Sequence, residues 1–248
     1  MVAAPRHDPA TTRAWEVAGT QRLLALVDAL GDDALGGASL LPGWRRSHVV
    51  AHVARNAEAL ARLATWARTG VETPMYASRE ARDGDIERSS QQSPAALRAD
   101  LRGTAAVLED ALDGLVGEAW DARVVAGQGR EVRAAMLPWL RTREVWLHAA
   151  DLDAPGGPEA ALAGGPPRLL HELLSDVTRT VGRAEACPPV RLEADDEPGA
   201  WSLGPDAPDA VLVRGRAVRL LLWVSGRGPT TGLATATGAP LPVLPRWL

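Results

Sequence analysis

Four stretches of helical apolar spacing, each closed by a glycine or proline stop, run through the first 153 residues and leave this chain few choices other than a helical bundle. The first covers about residues 10–30, where Trp15, Ala18, Leu23, Leu26, Val27 and Leu30 recur near a 3.6-residue period before Gly31. The second opens near Ser47, a good N-cap type, and carries Val49, His52, Val53, Leu60 and Leu63 on to Gly70. Ser93 and Pro94, a cap followed by a favoured first-turn proline, open the third, with Leu97, Leu101, Val107, Leu108 and Leu112 on its stripe. The fourth contains PWLRTREVWLHAADL, and Pro138 marks its start or a kink. An apolar stripe must be buried against something, and four such helices can bury one another. Between the second and third, residues 71–92 lose the pattern to Pro74, Gly84 and many charges, which predicts a long loop or broken segment. Residues 124–132, turned by Gly127 and Gly129, predict a short hairpin.

Residues 154–166 are rich in Gly, Pro and Ala and read as a linker. Beyond it, residues 167–248 predict a small α+β domain. It has a helix to about residue 183, short strands in VRLEAD, AWSLG and AVLVRG, and a Leu/Val/Trp-rich helix over residues 217–225. The Pro-rich tail has no period, but Trp247 and Leu248 can dock it. The expected fold class is therefore mainly α with a smaller α+β part: a four-helix bundle in residues 1–153, then the second domain.

The bundle helices also carry a candidate metal site. Glu144 and His148 stand four residues apart, which places both side chains on one helix face. His52 sits among Val49, Val53 and Leu60 on what should be a bundle-facing side, where a neutral imidazole needs a partner. Together they make a His2Glu set with a coordination position left open, the arrangement of catalytic zinc. The single cysteine, Cys187, excludes a closed Cys-rich site. Spacing alone leaves other readings open: Glu144 and His148 as a solvated charge pair, and His48, one turn before His52, either as an upstream ligand or as a rim residue. Arg141 shares the face of Glu144 and is read as a contact for a substrate carboxylate, a buttress for Glu144, or half of a structural ion pair. Arg82 in the charged segment and Arg227 at the Gly226–Gly228 turn suit an acidic substrate, or are merely solvated. Asp151 and Asp153 at the helix end suit a carboxylate metal site, but acids there are ordinarily caps or turn formers; His7 reads as a terminal residue and His171 as a helix-surface one. Cys187 has no helix N-terminus or histidine beside it in sequence to activate it as a nucleophile.

The charge balance limits the partners. A net charge of −4 with no basic stripe gives nucleic acid no electrostatic footprint. No apolar run approaches the ~18–20 residues of a membrane span, and the N-terminal residues have no signal-peptide core. With one cysteine and no internal disulfide, the expected location is the reducing cytoplasm. The chain lacks Lys and Phe while Ala, Arg, Gly and Pro abound, a skew that follows codon usage in a GC-rich genome such as that of an actinomycete. The oligomeric state stays open, a monomer included.

The segments LPGWRRSHVVAHVARNAEAL, MYASREARDGDIE, PWLRTREVWLHAADLD and LLLWVSGR resemble the mycothiol-dependent maleylpyruvate isomerase family over nearly the whole chain. The resemblance implies a DinB-like four-helix bundle that holds a metal, usually zinc, followed by a sterol-carrier-like α+β domain. It places the ligands on His52, Glu144 and His148, with Trp44 eight residues before the first, and functional arginines on Arg82 and Arg227. The chemistry it implies uses mycothiol as an imported thiol. The metal holds the thiol as thiolate, which adds reversibly to the cis double bond of maleylpyruvate and leaves to give fumarylpyruvate. Without the elimination step the same apparatus is a mycothiol S-transferase acting on another electrophile. A non-catalytic metal-binding sensor is the reading from outside enzymology, and the lack of cysteine ligands weighs against a redox-switched one.

Overall fold

A computed structural model describes residues 8–247, so His7 and Leu248 lie outside the described residues. The chain is mainly helical, with a smaller sheet part, and divides into two compact units at Ala154/Pro155. In the first unit, α1 (Pro9–Ala29), α3 (Arg46–Thr69), α5 (Pro94–Asp113) and α6 (Leu137–Asp151) form the bundle. Helix α1 packs on α6, α6 on α3, α3 on α5 and α5 back on α1. The short α2 (Asp32–Leu35) follows α1.

The ends of these helices follow their sequence signals. Asp8 caps α1 by accepting from the Thr11 N–H at 2.9 Å, and Ser93 caps α5 through the Ala96 N–H at 3.3 Å. Gly70 closes α3 in the left-handed region at φ 72°, which a side chain would resist. Pro138 falls in the first turn of α6, where its missing N–H costs nothing. The α5 stripe is Leu97, Leu101, Thr104, Ala105, Leu108 and Leu112; Val107 is 56% exposed and lies off it.

The long-loop expectation for residues 71–92 is corrected: α4 (Arg79–Ser90) occupies its second half, capped by the Ser78 hydroxyl on the Ala81 N–H. Only Ile86, Ser89 and Ser90 of this helix are buried, so it carries no apolar stripe that a periodicity reading could find. The hairpin is present as β1 (Arg123–Ala126) and β2 (Arg130–Arg133), antiparallel with Val124 opposite Val132. Its buried Val124, Ala126 and Val132 pack with Leu60, Leu63, Ala64 and Ala67 from the C-terminal half of α3. A fully buried leucine contributes roughly 1.5–3 kcal/mol, so this end of the bundle is a dry, stabilising plug. The N-terminal half of α3 is left to carry polar groups.

Two devices locate α6. Gly19 of α1 meets it face to face: a Cβ there would lie 2.5 Å from both Val145 and the Trp146 indole. The Trp146 Nε1–H donates to the Trp15 carbonyl at 2.9 Å beside this contact. At the far end, the Arg46 guanidinium donates to the carbonyls of Leu152 (2.5 Å), Asp153 (3.1 Å) and Ala34 (3.3 Å), and the Leu40 N–H to Asp151 O at 3.0 Å. The start of α3 is thereby fastened to the end of α6.

In the second unit, part of the stretch read as a linker is the helix α7 (Gly157–Leu162), and all of it from Pro155 onward groups with this unit. Ala161 and Leu162 bury there, which a glycine-rich reading hides. Helix α8 (Leu169–Val181) precedes β3 (Val190–Ala194), β4 (Ala200–Leu203) and β5 (Val211–Gly215); α9 (Ala217–Val224) and β6 (Ala234–Thr235) follow. The sheet order is β4-β3-β5-β6, with β3 and β5 parallel and the outer pairs antiparallel. Helices α8 and α9 pack on each other, α8 against β4 and α9 against β3.

Candidate metal centre

Helix α3 delivers His52 two turns from its start, and α6 delivers Glu144 and His148 from its last two turns. The fastening of those two helix ends brings the three together. His52 Nε2 is 2.9 Å and His148 Nε2 3.3 Å from the same carboxylate oxygen of Glu144, Oε2. The imidazoles meet edge to face with centroids 4.6 Å apart. One ligand atom from each residue lies within 4.8 Å of the others, a spacing that a single ion can span. The donor set fits a divalent metal of the zinc type: two neutral-capable imidazoles and a carboxylate, three ligands and no thiolate.

The electrostatics fit it too. Burial alone would raise Glu144, but hydrogen bonds from His148 and His52 hold it well below the usual carboxylate range, so it is ionised. Burial pushes His52 down, against the pull of Glu144. It also pushes His148 down, and there the hydrogen bonds to Asp151 and Glu144 outweigh it and leave the imidazole raised.

Asp151 is the member that spacing missed. In place of a helix cap it is fully buried, and its Oδ2 sits 2.8 Å from His148 Nδ1. A carboxylate on the far nitrogen fixes the ring so that Nε2 faces the ligand position, as in carboxylate–histidine–metal triads. The available signal was its position three residues after His148 on one helix face. Trp44, which the resemblance singles out, and Tyr76 stand near the cluster as well. The Trp44 ring stands edge-on to His52 at 5.7 Å, and the phenol of Tyr76, raised by burial, lies beneath the Arg82 guanidinium at 5.9 Å.

The arginines separate. Arg82, on α4, places Nη2 3.2 Å from His52 Nδ1 and Nη1 2.6 Å from Asp83. A guanidinium only donates, so Nδ1 accepts and the His52 proton sits on Nε2, directed at Glu144. Arg141 is buried in the packing between α6 and α3. It is 1% exposed, and Nη1 donates to Val53 O at 2.7 Å and Asn56 Oδ1 at 3.0 Å. Burial lowers its pKa, and the nearby Glu16 and Glu144 oppose that. It ties α6 to α3 one turn from Glu144. Arg227 belongs to the second unit, where it is 7% exposed, stacks over the Trp247 ring at 4.8 Å and donates to Ser225 O at 3.3 Å. His48 is not in the cluster: its Nε2 pairs with Glu87 at 3.1 Å and its Nδ1 accepts from the Arg45 N–H at 3.2 Å.

A family profile described as the mycothiol maleylpyruvate isomerase N-terminal domain matches residues 17–153, more than half of the chain and all three cluster residues. The chain belongs to the mycothiol maleylpyruvate isomerase family. Two solved structures resemble it end to end: a mycothiol-dependent maleylpyruvate isomerase and the H52A mutant of a mycothiol-dependent maleylpyruvate isomerase. Each is 34% identical, with 97% of this chain and 98% of the other covered and a TM-score of 0.88. No curated protein matches the sequence. Among the described residues, no helix is long and apolar enough to cross a membrane.

Proposed function

We propose that this member of the mycothiol maleylpyruvate isomerase family is a zinc-dependent enzyme that turns maleylpyruvate into fumarylpyruvate by reversible addition of mycothiol across the cis double bond. The observation that carries the reading is the intact His52/Glu144/His148 cluster in a chain that aligns over its whole length with such an isomerase. The described fold offers no reactive thiol in its place: Cys187 is buried, and burial raises its pKa.

A zinc ion held by His52, Glu144 and His148 would act as a Lewis acid and keep an incoming thiol as thiolate near neutral pH. Asp151 would orient His148 for that role through its hydrogen bond to Nδ1. With His52 holding the metal, its Nδ1 would carry the proton and would not accept from Arg82. The Arg82 guanidinium, which sits beside the cluster, would then be available to a substrate carboxylate. Arg227 is the second carboxylate-binding candidate by family resemblance, and Arg141 acts as a positioning residue for the Glu144 turn. Product analysis with maleylpyruvate, with and without mycothiol, tests the reading. Fumarylpyruvate formed only in the presence of thiol is expected. A stable thiol adduct would mark an S-transferase instead, and absence of turnover would reject the substrate.

A further inference from the structure

One cavity of the first unit is not used by this chemistry. It has a volume of about 530 Å³ and lies between the start of α3 and the end of α4, lined by Gly43, Arg45, Ser47, His48, Glu87, Ser90 and Gln91. That volume is in the range of small-molecule sites, roughly 300–1,000 Å³, but its lining has no apolar side chain, which such sites usually have. Donors and acceptors alternate around it: the Arg45 guanidinium, the serine hydroxyls, the Glu87 carboxylate and the Gln91 amide. The last two are already ordered, with Gln91 Nε2 donating to Glu87 at 2.9 Å and His48 holding the other carboxylate oxygen.

The groove is next to the metal cluster. His48 lines it and His52 lies one helical turn further along α3, about 6 Å by helix geometry. The Trp44 ring connects the two, 6.1 Å from His48 and 5.7 Å from His52. Trp44 does not line the groove but stands beside His48, which does, so its half-buried indole is a flat apolar face next to side chains that can meet hydroxyls. Glu87 makes the same groove unfavourable for a dicarboxylate substrate, since an added anion would face an existing one.

We propose that this groove seats the sugar–polyol part of the thiol cofactor, with the cysteinyl end reaching the His52/Glu144/His148 cluster. The assignment rests on the mycothiol reading above. Mycothiol is a cysteine derivative joined by an amide to an aminosugar that bears an inositol. Its thiol and its first sugar ring are separated by about two residues' length of extended chain, roughly 7 Å, which matches the one-turn offset between groove and cluster. A dozen hydroxyl and amide groups on such a ligand need paired donors and acceptors, which Arg45, Glu87, Ser47 and Gln91 supply.

The test is calorimetric binding to the metal-loaded full chain with three probes: mycothiol, its thiol-free aminosugar–inositol fragment, and N-acetylcysteine. Arg45→Ala and Gln91→Ala are each expected to weaken mycothiol and the fragment about tenfold, the size of one or two lost hydrogen bonds. Both variants should keep wild-type metal content and wild-type affinity for N-acetylcysteine. If they bind mycothiol as tightly as the wild type, the groove assignment fails while the thiol reading stands. Equal weakening of N-acetylcysteine also overturns it, because the damage then lies at the thiol end. A wild-type protein that binds no mycothiol removes the thiol reading and the groove assignment together.

Discussion

His148 is held on both nitrogens by acids from its own helix, Glu144 one turn before and Asp151 just after, and this sets what single substitutions do. Asp151→Asn keeps the shape but loses the charge that orients the ring, so metal affinity is expected to fall about 10–100-fold in a competition titration. An unchanged affinity would show that the ring is fixed by packing alone. The cluster itself was legible in the sequence, because four-residue spacing puts Glu144 and His148 on one helix face. His52 was legible through the apolar company it keeps. Asp151 was not, because an acid just past a helical pattern is ordinarily a cap, and only the coordinates show its carboxylate turned inward. Arg141 shows the converse limit: sharing the face of Glu144 is not the same as sharing its exposure, and its Nη1 is engaged by the Val53 carbonyl and Asn56.

At the scale of elements, the site depends on how close two backbones come. Gly19 lets α1 approach α6 until a methyl group would overlap Val145 and Trp146, the two residues that follow Glu144. Gly19→Ala therefore forces α6 outward or off its rotamers, at an expected cost of about 1–3 kcal/mol in denaturant unfolding. The same variant should lose metal affinity although Gly19 touches no ligand; full stability with normal metal binding would show that α1 simply moves aside. The bundle helices were legible because each carries a stripe that needs burying. Helix α4 was not, since charge covers most of its surface, and its one local signal was the Ser78 cap. Helix α7 was hidden in the same way by the glycines and prolines around it. Both elements are held mainly by their neighbours, and periodicity cannot report that.

For the molecule as a whole, pH acts through a buried acid away from the cluster. Burial raises the Glu16 carboxyl to about 7, with Glu109 adding to the push and Arg141 and Arg13 resisting it. The folded pKa exceeds the unfolded value of 4.5, so the stabilising contribution is complete below pH 4.5 and is lost as pH rises to about 7. The loss approaches roughly 3 kcal/mol, and Glu16→Gln should abolish it, making the variant more stable than the wild type at pH 8 and not at pH 5. Urea unfolding at the two pH values measures the difference, and parallel curves would place the proton elsewhere. The lone Cys187 bears on a different kind of robustness. It is 5% exposed and its thiol is pushed up by burial, so oxidants that seek thiolates find little to attack in the described fold. On the proposed thiol chemistry, oxidative vulnerability passes to the small-molecule pool: under peroxide stress turnover would track the reduced cofactor available, and would return when that pool is restored, with no repair of the polypeptide.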